Sequence, residues 1–243
     1  LHNGLNTTFI SGLPDVGGIG FLSQSGAVLG GVVDLVKGKK VGFSNFISLG
    51  NEADVTETDI MEYLADDPAT KVIAAYVEQI RDGRRFLEVA RQVSRKKPIV
   101  LLKAGRTSAG ARAVSSHTGS LAGSYAAYQA AFKQAGVIEV NTIADLFDVA
   151  MTLDFQPLPP GKRAVILTNA GGPAALASDS LSANGFVLED LQEDTRRHLR
   201  EHLTPAAQVS NPVDMLGGAE AQDYGMAVKR LLMDETVDII LPI

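Results

Sequence analysis

Apolar residues in this chain alternate between short, nearly unbroken runs and longer stretches in which they recur every three or four positions. Gly18–Leu22, Val41–Ile47, Val72–Val77 and Ile99–Leu102 are runs of the first kind, and they predict strands. Ala27–Val36, Thr58–Leu64, Arg85–Arg95, Ser124–Gln134 and Ile143–Leu153 have helical spacing. The pattern breaks at Asp154-Phe155-Gln156-Pro157-Leu158-Pro159-Pro160-Gly161-Lys162. Proline lacks an N–H and has a fixed φ, so this stretch predicts an extended linker. After it, Arg163–Thr168 predicts a strand that leads through Asn169-Ala170-Gly171-Gly172-Pro173 into an Ala-rich helix. Phe186–Leu188 predicts a further strand, and segments near Glu193–Leu203 and Ala221–Leu232 predict helices. The last run, Val237–Ile243, predicts a buried strand. Strands that are apolar along their whole length need cover on both faces, which implies parallel sheets between layers of helices. The expected fold is α/β, with two doubly wound, mainly parallel layers over about residues 1–154 and 163–243.

Composition agrees with that reading and narrows the chemistry. Hydrophobic residues make up 45% of the chain, aromatic residues only 6%, and there are 24 glycines, which suits tight strand-to-helix turns. The formal charge of −6 argues against nucleic acid or an anionic membrane as a partner, since neither polyanion is drawn to a net-negative surface. No apolar run reaches the length of a membrane span. The absence of cysteine removes disulfides, thiol nucleophiles and thiolate metal sites. The start has no initiator Met and the end falls in a strand, so both ends read as cuts in a longer chain.

Several turns follow directly on a predicted strand, where open α/β sheets bind ligands. In Ser23-Gln24-Ser25-Gly26-Ala27 a strand passes into a helix whose first N–H groups are unpaired. Ser23, Ser25, Gly26 and Ala27 suit a phosphate there; equally, Ser23 or Ser25 could simply cap the helix. Ser115-Ser116-His117-Thr118-Gly119-Ser120 reads as a loop with an accessible histidine, followed by a helix from about Ser120. Such an imidazole, flanked by the donors of Thr118 and Gly119, suits a transient phosphoryl carrier, against the alternative of a histidine bonded locally. Glu78 follows the strand ending at Val77 and could fix the tautomer of a histidine, or else pair with Arg81, Arg84 or Arg85. Lys103 and Arg106 could neutralise a phosphate. Asp54, in Ser48-Leu49-Gly50-Asn51-Glu52-Ala53-Asp54, reads as a helix cap, and no metal site is expected. Thr168–Pro173 has the form of an anion loop without the lysine of a P-loop, and Asn211–Asp214 reads as a turn into a strand edge.

Taken in order along the chain, these segments resemble the NDP-forming acyl-CoA synthetases, including ADP-forming acetyl-CoA synthetase and, more distantly, the α subunit of succinyl-CoA synthetase. The resemblance is carried by Ser23–Ala27, Ser48–Asp54, Tyr76–Glu78, Lys103–Arg106, Ser116–Gly123 and Thr168–Pro173. It implies two flavodoxin-like or Rossmann-like ligase domains, the first bearing His117 as the residue that becomes phosphorylated. It implies that Glu78 orients His117, and that Ser23, Ser25 and the N–H groups from Gly26 onward hold phosphate. It further implies interconversion of acyl-CoA, NDP and phosphate with carboxylic acid, CoA and NTP, through an acyl phosphate. CoA and ATP/ADP with Mg are then substrates of a larger enzyme, with none tightly bound to this chain. The expected partners are a CoA-binding domain, an ATP-grasp domain or subunit and a small carboxylic acid or acyl phosphate, within an oligomeric, cytoplasmic enzyme. The alternative is a regulatory, synthetase-like module of a protein acetyltransferase.

Overall fold

The structure is a computed structural model that describes the chain apart from residues 2, 3, 9, 11, 38, 40 and 119–123; the side chains of residues 117 and 118 also lie outside the described residues. The chain forms two compact units, Leu1–Pro157 and Leu158–Ile243.

The first unit runs β1 (Val16–Ser23), α1 (Gly26–Val36), β2 (Phe43–Ser48), α2 (Glu57–Asp66), β3 (Val72–Val77), α3 (Gly83–Val93), β4 (Ile99–Lys103), α4 (Ser108–Thr118), α5 (Tyr125–Ala135), β5 (Ile138–Val140) and α6 (Ile143–Phe155). Its five strands pair in parallel in the order β2-β1-β3-β4-β5. Side chains alternate across a strand, so β3 sends Val72 and Ala74 to one face and Ile73, Ala75 and Val77 to the other. The first face packs on Leu29, Val32 and Val36 of α1 and on Leu146, Phe147 and Ala150 of α6. The second packs on α2, α3 and α5 through Met61, Leu64, Phe86, Val89 and Phe132. Two buried faces explain the all-apolar strands. Four phenylalanines, Phe21, Phe43, Phe46 and Phe147, contact one another with ring centroids 5.1 to 6.3 Å apart. Where β1 meets β2, a Cβ on Gly17 would lie 2.5 Å from the Gly42 backbone, so close approach demands glycine.

Capping explains several helix starts. Thr56 with Asp59 begins α2, and Thr142 with Asp145 begins α6, each as a reciprocal capping box. Asp54, expected to cap, is exposed and does not. Helix α4 and strand β5 were not foreseen. The small residues Ser108-Ala109-Gly110-Ala111 give α4 almost no apolar stripe, and β5 is only three residues long.

The second unit runs β6 (Ala164–Thr168), α7 (Gly171–Ala183), α8 (Glu193–His202), β7 (Val213–Asp214), α9 (Ala221–Leu231) and β8 (Ile239–Pro242). Its strands are parallel, in the order β7-β6-β8. Val165, Leu167, Leu199, Val213, Met215, Ala227 and Leu231 form its core. Two expectations are corrected here. Phe186–Leu188 makes only an isolated bridge, Val187 to Arg163, instead of a strand. The last strand is half-buried instead of buried, because β8 is an edge of the described sheet. Asn211, before the cis bond to Pro212, substitutes for a strand rung: its amide donates to the carbonyls of Ala164 and Glu189 and accepts the Ile166 N–H.

No helix among the described residues is long and apolar enough to cross a membrane.

Candidate functional site

Register fixes which strand ends are neighbours in the first unit. Ser23 lies opposite both Ser48 and Tyr76, and Val77 lies opposite Lys103. The turns after β1, β3 and β4 therefore stand side by side at the carboxyl edge of the sheet.

In the first turn both serines are engaged locally. The buried Ser23 hydroxyl donates to the Ser25 carbonyl at 2.8 Å and accepts the Ser25 N–H at 3.1 Å. Ser25 Oγ accepts the Val28 N–H at 3.3 Å and caps α1. The N–H groups of Gly26 and Ala27 are left without a hydrogen-bond partner among the described residues. They point the positive end of α1 out of the turn.

The residue that sequence reasoning passed over is Gln24, 6% exposed. Its Oε1 accepts the N–H groups of Glu78 at 2.6 Å and Gln79 at 3.0 Å. Its Nε2 donates to the Gln79 carbonyl at 2.8 Å and to Glu52 Oε1 at 2.7 Å. Two N–H donors on one side and two acceptors on the other leave one orientation for the amide. A glutamine between two serines carries no sequence signal of this kind, because its partners lie 28 to 55 residues away.

Glu78 is half-buried, and its main chain is held at both ends: the N–H by Gln24, the carbonyl by Lys103 Nζ at 2.7 Å. Its carboxylate makes no hydrogen bond or ion pair among the described residues. Two of the three arginines considered as its partners go elsewhere. Arg85 binds Asp59 and Glu62 at 2.7 and 2.9 Å, and Arg81 donates to the Asn51 carbonyl at 2.8 Å.

Lys103, considered as a cation for a phosphate, is instead engaged with the protein. It is 4% exposed; Nζ also donates to the Ala104 carbonyl at 2.5 Å and lies 4.6 Å from the centre of the Tyr128 ring. Burial pushes its pKa down, while the charges of Glu78 and Glu139 oppose that. Arg106 is bound to the Asn141 side chain and carbonyl. Both cations brace loops.

His117 and Thr118 are in the last turn of α4, where a loop was expected. Their side chains, and Gly119, lie outside the described residues, as does the expected helix start near Ser120; the next described helix, α5, begins at Tyr125 after Ser124.

The second unit repeats the first turn in part. Thr168 Oγ1 donates to the Ala170 carbonyl at 3.1 Å and accepts the Ala170 N–H at 3.0 Å. Ala170 gives α7 no side-chain cap. On α8, His198, Glu201 and His202 place one potential metal-ligand atom each within 4.8 Å of one another, the one such group found among the described residues.

Comparison with known proteins assigns both units. Residues 16–153 match the succinyl-CoA ligase like flavodoxin domain, and residues 164–241 match the ligase-CoA domain. The chain is 50% identical over 242 residues to the α subunit of acetate–CoA ligase (ADP-forming) II of Pyrococcus furiosus, covering 100% of this chain and 52% of that protein. It is 38% identical to 4-hydroxybutyrate–CoA ligase (ADP-forming) of Nitrosopumilus maritimus, covering 98% of this chain and 34% of that one. Acetyl-coenzyme A synthetase 1 of Ca. Korarchaeum cryptofilum, solved with phosphate and ADP, superposes with a TM-score of 0.92 at 38% identity, over 98% of this chain and 52% of that one. The chain thus spans about half, or less, of the length of these relatives. With both domain models matched in order, and with the strand order β2-β1-β3-β4-β5 beneath them, the chain belongs to the NDP-forming acyl-CoA synthetase family.

Proposed function

We propose that the chain is the phosphoryl-carrying part of an NDP-forming acyl-CoA synthetase, with His117 as the carrier. Phosphate attacks the carbonyl of acyl-CoA, giving an acyl phosphate and releasing the CoA thiol. A ring nitrogen of His117 then attacks phosphorus and releases the carboxylic acid. The phosphohistidine passes its phosphoryl group to NDP, regenerating the imidazole. Glu78 is proposed to accept the imidazole N–H, which fixes the tautomer and makes the other nitrogen nucleophilic. The α1 terminus, with Gly26 and Ala27, is proposed to hold the phosphoryl oxygens; Ser23 and Ser25 hold that turn in shape. Thr118 and Gly119 are proposed to add donors beside the histidine. Phosphoryl transfer depends mostly on placement and charge stabilisation, which such preformed donors supply.

The observation that supports this reading best is the conjunction, among the described residues, of an open helix N-terminus with a carboxylate left unpaired at the neighbouring strand end. The remaining parts are proposed to come from outside this chain: a CoA-binding domain, and an ATP-grasp domain or subunit that binds ATP/ADP with Mg. The acid is a small carboxylate, and the assembled enzyme an oligomer in the cytoplasm.

The test is to give the full-length protein ATP labelled at the γ-phosphate and look for an acid-labile, alkali-stable adduct. The expected result is labelling of the wild type and none of His117→Ala. Label that persists in the variant overturns the assignment.

A further inference from the structure

Behind Gln24 lies a buried pair of carboxyl groups. Glu52 and Glu57 are each 2% exposed. Glu52 Oε1 accepts Gln24 Nε2–H at 2.7 Å and the Glu57 N–H at 3.0 Å. Thr58 Oγ1 donates to Glu57 Oε1 at 3.0 Å. The second oxygen of each carboxyl is buried and accepts no hydrogen bond from any other group among the described residues. Glu52 also has φ 53°, the left-handed region that side-chain-bearing residues rarely adopt.

Each of these features is costly alone. A buried unpaired polar atom and a left-handed non-glycine residue are each unfavourable. Two carboxylates cannot both stay ionised side by side in a dry pocket, so one keeps its proton and bonds its neighbour. Glu57 is that one: burial, then the hydrogen bond and charge of Glu52, push its pKa up to about 8. Glu52 offers Oε1 as the acceptor that Gln24 binds. The other charged groups nearby are Asp54 and Asp59 on the same segment, Glu78 and Arg81 from the turn after β3, and Lys103 from β4. Asp59 is paired with Arg85, Arg81 with the Asn51 carbonyl, and Lys103 with the Glu78 carbonyl. No ion pair among the described residues reaches Glu52 or Glu57.

The outward link of the pair is the Gln24 amide, whose far side holds the Glu78 and Gln79 N–H groups. We infer that Glu52 and Glu57, sharing one proton, are positioning residues that set the Glu78 carboxylate through Gln24. This rests on the reading in which Glu78 orients His117. Loss of the shared proton puts two charges against each other, displaces Glu52 and frees the amide that fixes the Glu78 turn.

The test uses the full-length protein and two readouts: hydrogen exchange of the Glu78–Gln79 amides, compared at matched pH, and the rate of phosphohistidine formation from pH 6 to pH 9. Glu52→Ala is expected to speed exchange of those amides about tenfold, and to slow phosphoryl transfer about 10–100-fold. Glu57→Gln keeps shape and a donor without a titratable proton, so it guards against simple misfolding. It is expected to retain protection and rate at pH 7, and to lack the loss of both that the wild type shows as pH rises past about 8. Unchanged exchange in Glu52→Ala, or an identical alkaline loss in Glu57→Gln, overturns the inference. Faster exchange with an unchanged transfer rate removes the pair from the reaction. A wild type that forms no phosphohistidine sinks the functional reading instead, and the exchange arm still decides whether the pair sets the Glu78 turn.

Discussion

The turns at β1–α1 and β6–α7 have the same backbone design and differ in what surrounds them. In each, a buried hydroxyl at the strand end, Ser23 or Thr168, bonds the main chain two residues on. In each, the carbonyl of that residue accepts an N–H from the adjoining segment, Leu49 or Met215, at 2.8 Å. The first turn adds a capping serine and a glutamine that reaches the neighbouring strand end. The second has neither. Its neighbour contributes Asp214, whose Oδ2 lies 3.6 Å from where a Gly171 Cβ would be, so a carboxylate already faces the start of α7. That carboxylate opposes an anion at the start of α7, whereas the start of α1 is where we propose that phosphate is held. A strand–turn–helix with small residues is thus a property of the fold, and the residues at adjacent strand ends decide whether it serves as a site.

That contrast can be broken at several points. The largest expected effect is on catalysis: Glu78→Ala slows phosphohistidine formation in the full-length protein about 10–100-fold, while Asp214→Ala leaves it unchanged. Equal losses would erase the distinction between the turns. Next comes pH. Glu57 has a raised pKa, so from its unfolded value near 4.5 up to about 8 the folded state holds the extra proton. Stability of the first unit therefore falls as pH rises through that window, by a few kcal/mol. Glu57→Gln should flatten the fall in urea unfolding monitored on this unit. The second unit behaves oppositely. Hydrogen bonds from Arg163 hold the Asp238 pKa at about 2, so its contribution is present above the ordinary carboxylate range and lost as pH drops toward 2. Asp238→Asn should remove that acid limb.

Smaller effects test the shared design. Ser23→Ala and Thr168→Val should each cost about 1 kcal/mol in chemical unfolding, since each strands a partly buried N–H. A cost confined to Ser23 would mean the turns are not equivalent even as scaffolds. Last is the cap: Ser25→Ala should lose about 1 kcal/mol, and Ala170→Ser should gain up to about 1 kcal/mol by supplying a cap that α7 lacks. A gain at Ala170 without any anion binding there would sharpen the case that Asp214 is what closes the second turn.

Much of this architecture was legible before any coordinates. Strands buried on both faces must be apolar throughout, so Val72–Val77 and Ile99–Leu102 announced themselves, and proline chemistry marked the break near residues 157–160. Capping boxes are local, four-residue signals, yet Thr56 and Asp59 were passed over in favour of Asp54, which only the structure corrected. Helix α4 was illegible because small residues give no amphipathic stripe, and the Phe186–Leu188 run was read as a strand because its apolar character cannot show that just one bridge partner waits for it.

The functional site divides the same way. By itself the sequence determined which residue types follow each strand: hydroxyls and glycine after β1, a glutamate after β3, a lysine ending β4. Those are local facts, set by position along one chain. The tertiary structure decided that Lys103 is buried as a brace, that Gln24 joins two turns, and that Glu52 and Glu57 lie against each other in the dark of the protein. Pairings across tens of residues and desolvation arise only when the strands stand side by side, because each depends on what has been excluded from the space between them.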